Sequence, residues 1–256
     1  MPIRYLRKLA GRRRSFAANR DLGLSLAFVA GAANAGGFLA VHQYTSHMTG
    51  IVSTLADDLA LGRYQLAIAA LVALCAFVAG AATCAILVNW ARRRHLQSEF
   101  ALALMSEAAL LLVFGVAGGR LSAHWGMLLT VWLLCYVMGL QNAIITKISS
   151  AQIRTTHVTG LVTDIGIELG RALYINHHPG EPVRADWRKL RLLSQLLLMF
   201  FAGGLLGALG FKHIGFAATL PLAMILLLAA VVPVIDDLVL RWQAWRGLRP
   251  PSGRSE

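Results

Sequence analysis

The pentapeptide Ser46-His47-Met48-Thr49-Gly50 returns as Thr156-His157-Val158-Thr159-Gly160, and each copy closely follows a long apolar segment rich in small residues. The surroundings repeat as well. Gly31-Ala32-Ala33-Asn34-Ala35 precedes the first copy, and Gly139-Leu140-Gln141-Asn142-Ala143 precedes the second. Downstream, Ser53 aligns with Thr163, Asp58 with Glu168, and Leu61-Gly62-Arg63 with Leu169-Gly170-Arg171 after a small shift. Phe77-Val78-Ala79-Gly80 then echoes Phe200-Phe201-Ala202-Gly203, once an extra stretch near residues 172–188 is allowed for. Self-similarity on this scale makes the duplicated half the unit to interpret.

Composition places both halves in a bilayer. With 57% hydrophobic and 14% charged residues and a mean hydropathy of +0.62, the chain has too little polar material to coat a soluble domain of 256 residues. A helix needs roughly 20 apolar residues to cross the hydrocarbon. Six segments meet that length, near residues 22–41, 66–89, 100–118, 125–145, 190–211 and 214–235. The expected fold class is therefore all-α, a polytopic bundle of six transmembrane helices. It divides into a basic arm (1–21), a first three-helix repeat (22–118), a second (119–235) and a tail (236–256).

The net charge of +12 is unevenly placed. With the N-terminus in the cytoplasm, all of the 24 Lys and Arg except Arg63, Arg120 and Lys212 fall on that side, including the arm, Arg92 to Arg94 and the stretch from Lys147 to Arg191. That is the distribution the positive-inside rule describes, so both termini are expected in the cytoplasm of a cell with this inner-membrane protein. The same distribution explains the basic charge through the lipid bilayer as partner, with no nucleic acid required. Arg13-Arg14-Ser15-Phe16 followed by an apolar run imitates a twin-arginine signal. Its presumed cleavage region is duplicated at Gly139 to Ala143, which argues for a retained first helix.

An odd number of spans per repeat has a geometric consequence: the second half enters the membrane from the opposite side, and the repeats have inverted topology. Between the first and second helix of each repeat lies a short amphipathic stretch. In the first copy, Gly50, Ser53, Thr54, Asp57 and Asp58 share one arc of a helix and Ile51, Val52, Leu55, Ala56 and Leu59 the other, with Thr49 the expected N-cap. The second copy opposes Gly160, Thr163, Asp164 and Glu168 to Leu161, Val162, Ile165 and Leu169, with Thr159 in the capping position. Each stretch is too short to span, so it lies in the interface or dips in as a half-helix.

Two readings of these stretches stay open. In one, the half-helices enter from opposite faces and bring their N-termini, His47, Thr49 and Gly50 together with His157, Thr159 and Gly160, to a shared cavity. Free amides and the positive dipole end there suit a small anion or carboxylate, with Asp58 and Glu168 further along the path. In the other, Thr-Gly merely starts a helix on a solvated surface. Inside the spans, Asn34 recurs as Asn142 beside Gln141, fit either to line a solute path or to hydrogen-bond neighbouring helices.

Glu107 is the one acid well within an expected span. An ionised carboxylate at the membrane centre costs on the order of 3 kcal/mol on insertion scales, so burial against other helices, water or a bound proton is required. A proton-coupling or cation-binding role is the default expectation, with a structural hydrogen bond to a neighbouring helix as the alternative. Cys75, Cys84 and Cys135 sit within spans as small packing residues, with no disulfide framework or metal spacing. No cofactor or metal is expected, His177 to Glu181 reading as a polar loop. No nucleophile stands beside a base, so no enzyme is expected either.

The run Gly31 to Gly62, with Gly139-Leu140-Gln141-Asn142-Ala143 and Thr155-Thr156-His157-Val158-Thr159-Gly160, resembles the YoaK-type bacterial integral membrane family, a domain of unknown function. The resemblance covers roughly residues 20–235; Ile51 stands where relatives commonly have Asn. It implies a six-span bacterial inner-membrane protein and supplies no activity. Two functions fit the sequence: a secondary transporter or channel for a small polar or anionic solute, and a non-transporting membrane scaffold or partner subunit. Oligomeric state is not readable from these residues.

Overall fold

A computed structural model describes residues 16–41, 44–96, 98–118, 124–148, 157–176 and 182–245. The expectations for the arm up to residue 15, for Arg120, for Thr156, for His177 to Glu181 and for the tail beyond 245 lie outside these residues. The described residues are all-α. Helix α1 is Phe16–Val41, α2 Met48–Ala60, α3 Tyr64–Arg93, α4 Ala101–Ala117, α5 His124–Ile148, α6 Val158–Leu173, α7 Trp187–Ile214 and α8 Thr219–Trp245, with a 3-10 turn at Gly215–Ala218 before α8. Four stretches are long and apolar enough to cross a membrane: Phe16–Leu39, Tyr64–Arg93, Leu128–Ile148 and Trp187–Val239. The last holds both α7 and α8, and α4 contributes a shorter apolar stretch, Ala101–Val116. Each long helix overlaps one expected span.

The ends of the helices are set by local chemistry. Asp186 caps α7, its carboxylate accepting from Arg188 N at 2.9 Å and Lys189 N at 3.0 Å. Gly62 takes φ of +70° between α2 and α3, a left-handed conformation that glycine adopts without a Cβ clash. This turn joins a short helix to a long one in three residues.

The tightest packing runs between the two halves of the chain, not within them. α1 lies on α7, and α3 lies on α5. Backbone meets backbone at both interfaces. A Cβ added at Gly31 would overlap Phe200 O, and one at Gly203 would overlap Phe28 O. Likewise a Cβ at Gly139 would overlap Phe77 O, and one at Gly80 would overlap Tyr136 O. Exchanging each residue for its counterpart in the other half converts the first pair of contacts into the second. Small residues at such crossings let helices approach closely where lipid supplies no hydrophobic drive for association.

Specific contacts fix the directions. Asn19 Nδ2, near the start of α1, donates to Ile148 O at the end of α5 at 3.3 Å, so these helices are antiparallel. α7 runs parallel to α1, since Phe28 meets Gly203, Ala32 meets Gly207 and Gly36 meets Phe211. α8 is antiparallel to α4: Asp237 accepts from Ser98 N at 2.8 Å, while Thr219 Oγ1 donates to Leu111 O at 3.0 Å. Arg92 to Arg94, Lys147, Arg188, Lys189 and Arg191 consequently gather at the end of the bundle where α1 begins. This is called the basic end below. A buried core of Leu26, Val88, Leu104, Leu111, Met138, Leu140, Ile144, Leu196 and Leu226, among others, joins helices of both halves.

These crossings leave no room for a methyl group. Gly31→Ala, Gly80→Ala, Gly139→Ala and Gly203→Ala should each lower stability in detergent by about 1–3 kcal/mol, as overpacking does. Gly166→Ala and Gly170→Ala, where an added Cβ meets nothing within 4 Å, should be neutral or stabilising. Thermal unfolding of the six variants side by side checks this.

Candidate functional site

Each repeated pentapeptide builds the start of a short helix. Asn34 on α1 reaches it from below: its Oδ1 accepts from Ser46 N at 3.3 Å and Ser46 Oγ at 2.9 Å. His47 then occupies the N-cap position, its carbonyl accepting from Ile51 N at 3.1 Å. In the second copy His157 is the N-cap and its carbonyl accepts from Leu161 N at 3.0 Å. The expectation that Thr49 and Thr159 cap these helices is corrected: both are exposed within the first turn, and neither N-cap residue makes a side-chain capping bond. The imidazoles explain the invariant spacing inside the motif. A Cβ at Gly50 would lie 2.7 Å from His47 Nδ1, and one at Gly160 would overlap His157 Nδ1. In both copies the histidine ring folds back over the glycine.

The acids lie at the other end of each short helix and face inward. Asp58 is buried and pairs with Arg63 at 2.7 Å. Glu168, fully buried, pairs with Arg171 at 2.9 Å, accepts from Asp186 N at 2.9 Å and has Lys189 at 3.7 Å. This corrects their place on the polar arc. Ile51, Leu55 and Asp58 form one packing face, as do Leu161, Ile165 and Glu168, while Ser53, Thr54 and Asp57 are exposed. The partners Arg63, Arg171 and Asp186 were not expected from sequence. The signal was there: an arginine follows each aligned acid within five residues, inside the matching Leu-Gly-Arg tripeptides. Both acids tie a short helix to the long helix that follows.

The short helices do not come together. α2 packs on α3 and α6 on α7. Because α1 and α5 are antiparallel, the helices that follow them sit at opposite ends of the bundle. His47, Thr49, Gly50 and Asp58 therefore belong to one end, and His157, Thr159, Gly160 and Glu168 to the other.

Three candidates remain in the middle. Asn142 Nδ2 donates back to Met138 O at 2.9 Å. Gln141 is fully buried and donates from Nε2 to Leu26 O on α1 at 3.2 Å, while its Oε1 has no partner. Glu107 on α4 is also fully buried, and neither carboxylate oxygen has a hydrogen-bond partner. A polar group left so in an apolar core costs about 1–3 kcal/mol, more when charged. Cys84 on α3 is within electrostatic reach of Glu107 and of Lys147 in the last turn of α5. Among the described residues no group of three or more His, Cys, Asp and Glu could hold a metal ion.

A family model described as a protein of unknown function (DUF1275) matches residues 22–232. No curated protein and no solved structure matches the chain.

The acid–arginine joints generate a specific expectation. Glu168→Gln should free Asp186 N and the start of α7, lowering stability by about 1–3 kcal/mol, the cost of breaking a charged hydrogen bond at a buried group. Hydrogen exchange should rise locally at residues 168–176 and 186–190 and stay unchanged at the Asp58 joint.

Proposed function

The chain belongs to the DUF1275 family, and we propose that this protein is a six-span inner-membrane secondary transporter in which Glu107 carries the coupling proton for a small polar or anionic solute. The observation that carries this reading is Glu107 itself: an acid fully buried among apolar helices with both oxygens unpartnered. Intramembrane ionisable groups cost enough that they persist chiefly on ion and substrate pathways. Co-movement of a proton with an anion also lowers the net charge that must cross.

The arrangement of helices supports the same reading. Equivalent helices run in opposite directions, as in α1 and α5, which is the geometry of inverted repeats. In this reading α4 and α8 count as the third and sixth spans, the basic end faces the cytoplasm with both termini, and the short helices lie at the two membrane surfaces. Alternating access then consists of the pair α1 and α7 rocking against the pair α3 and α5, each pair moving as a unit because its backbones touch. The solute path runs between pairs, beside Gln141 and Glu107, and away from the pentapeptide turns. No catalytic chemistry is assigned.

A non-transporting scaffold or partner subunit is the second reading. The separation of the two short helices, which sit at opposite ends of the bundle, favours it. The two readings differ in flux.

Purified protein in liposomes should take up solute in response to an inward proton gradient, and Glu107→Gln should abolish that uptake while the protein still elutes as a folded species. Equal flux in the variant would remove Glu107 from the mechanism. Topology has an independent check. In a background without native cysteines, His47→Cys and His157→Cys should be labelled by impermeant thiol reagents from opposite sides of the membrane.

A further inference from the structure

The proposed role of Glu107 raises the question of what its proton binds to inside the protein. The register of α4 against α5 answers it. α4 begins at the basic end and α5 finishes there, so the two are antiparallel. Phe114 of α4 and Leu134 of α5 belong to one buried cluster. Two turns from Phe114 toward the basic end is Glu107, and two turns from Leu134 toward the same end is Gln141. Seven residues return an α-helix to nearly the same face, with a drift of only about 20°. This register puts Glu107 and Gln141 at one depth, each about 10 Å in from its helix end, with Gln141 on the line of α5 that meets α1 at Gly37 and Leu26. Leu104, Ala108, Leu111, Met138, Ile144 and Ile145 surround that level in a single core.

The chemistry at this level is one-sided. Glu107 Oε1, Glu107 Oε2 and Gln141 Oε1 are all buried acceptors without a donor. The amide nitrogen of Gln141 is already committed to Leu26 O. A single proton on Glu107 turns one acceptor into a donor and satisfies two of the three atoms at once.

We propose that protonated Glu107 donates its O–H to Gln141 Oε1, completing a hydrogen-bonded chain from α4 through the Gln141 amide on α5 to Leu26 O on α1. The proton comes from water and returns to water; no other bond changes. While it is present, the clasp ties α4 to both of the backbone-packed helix pairs. When it leaves, Glu107 is freed from Gln141 and the pairs are released from α4. The clasp rests on the reading of Glu107 as the proton site, and it assigns Gln141 as the positioning residue. The charged and titratable groups that face it from the packed helices are few. Cys84 on α3 is within electrostatic reach of Glu107, and Lys147 on α5 within reach of Cys84. At the basic end beyond them, Glu99 pairs with Arg92 and Asp237 accepts from Ser98.

The two halves also differ at these positions. Gln141 aligns with Ala33 in the first repeat, and the core-facing residues of α8 are Leu222, Ala223, Leu226, Ala229 and Ala230. Neither member of the clasp has a polar counterpart.

Infrared difference spectroscopy on reconstituted protein tests this directly. Wild type minus Glu107→Gln at neutral pH should show the carbonyl stretch of one neutral, hydrogen-bonded carboxyl group. In Gln141→Leu that band should persist and move to the higher frequency of a free acid; in Gln141→Asn, one methylene too short, it should move in the same direction. Gel filtration and circular dichroism identify any variant that fails to fold, and the remaining one decides. A band indifferent to both Gln141 changes overturns the clasp, as does the absence of a neutral-carboxyl band. Flux separates this from the transport reading: a band that responds to Gln141 in a protein without proton-linked uptake keeps the clasp and removes the transporter.

Discussion

The bundle depends on the points where one helix backbone touches another. Gly31 and Gly203 admit α7 to α1, and Gly80 and Gly139 admit α5 to α3. In water a helix pair is held by burying apolar surface, but lipid tails are as apolar as leucine, so association within a bilayer relies on close packing and interhelical hydrogen bonds. Glycine at the crossing provides the first. Because each crossing joins one half of the chain to the other, neither half holds its tightest interface alone. The two halves are thus interlocked.

That interlocking was only partly legible in the sequence. Hydropathy located the long helices well, since an apolar run of sufficient length has one stable fate in a bilayer. The start of α7 near Trp187 and the end of α3 near Arg93 also follow from where charge begins. The duplication was legible because motif and spacing repeat together. The pairing of halves was not: Gly80 and Gly139 look like ordinary small residues until a partner carbonyl is placed against each. A hydrophobic pattern records which face is buried and is silent about what buries it.

The short helices show a different failure. Their periodicity separates polar from apolar residues only in part: Val52, Leu59, Val162 and Leu169 of the apolar arcs are exposed, and Asp58 and Glu168 sit on the buried face. An acid can join that face when an arginine one turn away supplies the counter-charge and a backbone amide the hydrogen bond, as Arg171 and Asp186 N do for Glu168. Threonine before glycine suggested a side-chain cap, but the imidazole preceding it takes the space above the first turn. In both cases a neighbour two to five residues away outweighs intrinsic preference. Such local competition is visible in sequence only after the pairing is known.

Duplication explains the symmetric parts of the molecule, and its departures point to the parts that act. Contacts such as Gly31 with Phe200 and Gly139 with Phe77 persist in both halves because each is needed to close its crossing. Glu107 and Gln141 contribute nothing of that kind. They leave three acceptors unsatisfied in an apolar core, while the first repeat has Ala33 at the position aligned with Gln141. A chain that had merely to pack would gain stability by replacing both with leucine or alanine. Two positions, on separate helices in separate repeats, depart from symmetry toward polarity at the same depth. Packing gives no reason for that coincidence, whereas a shared proton does.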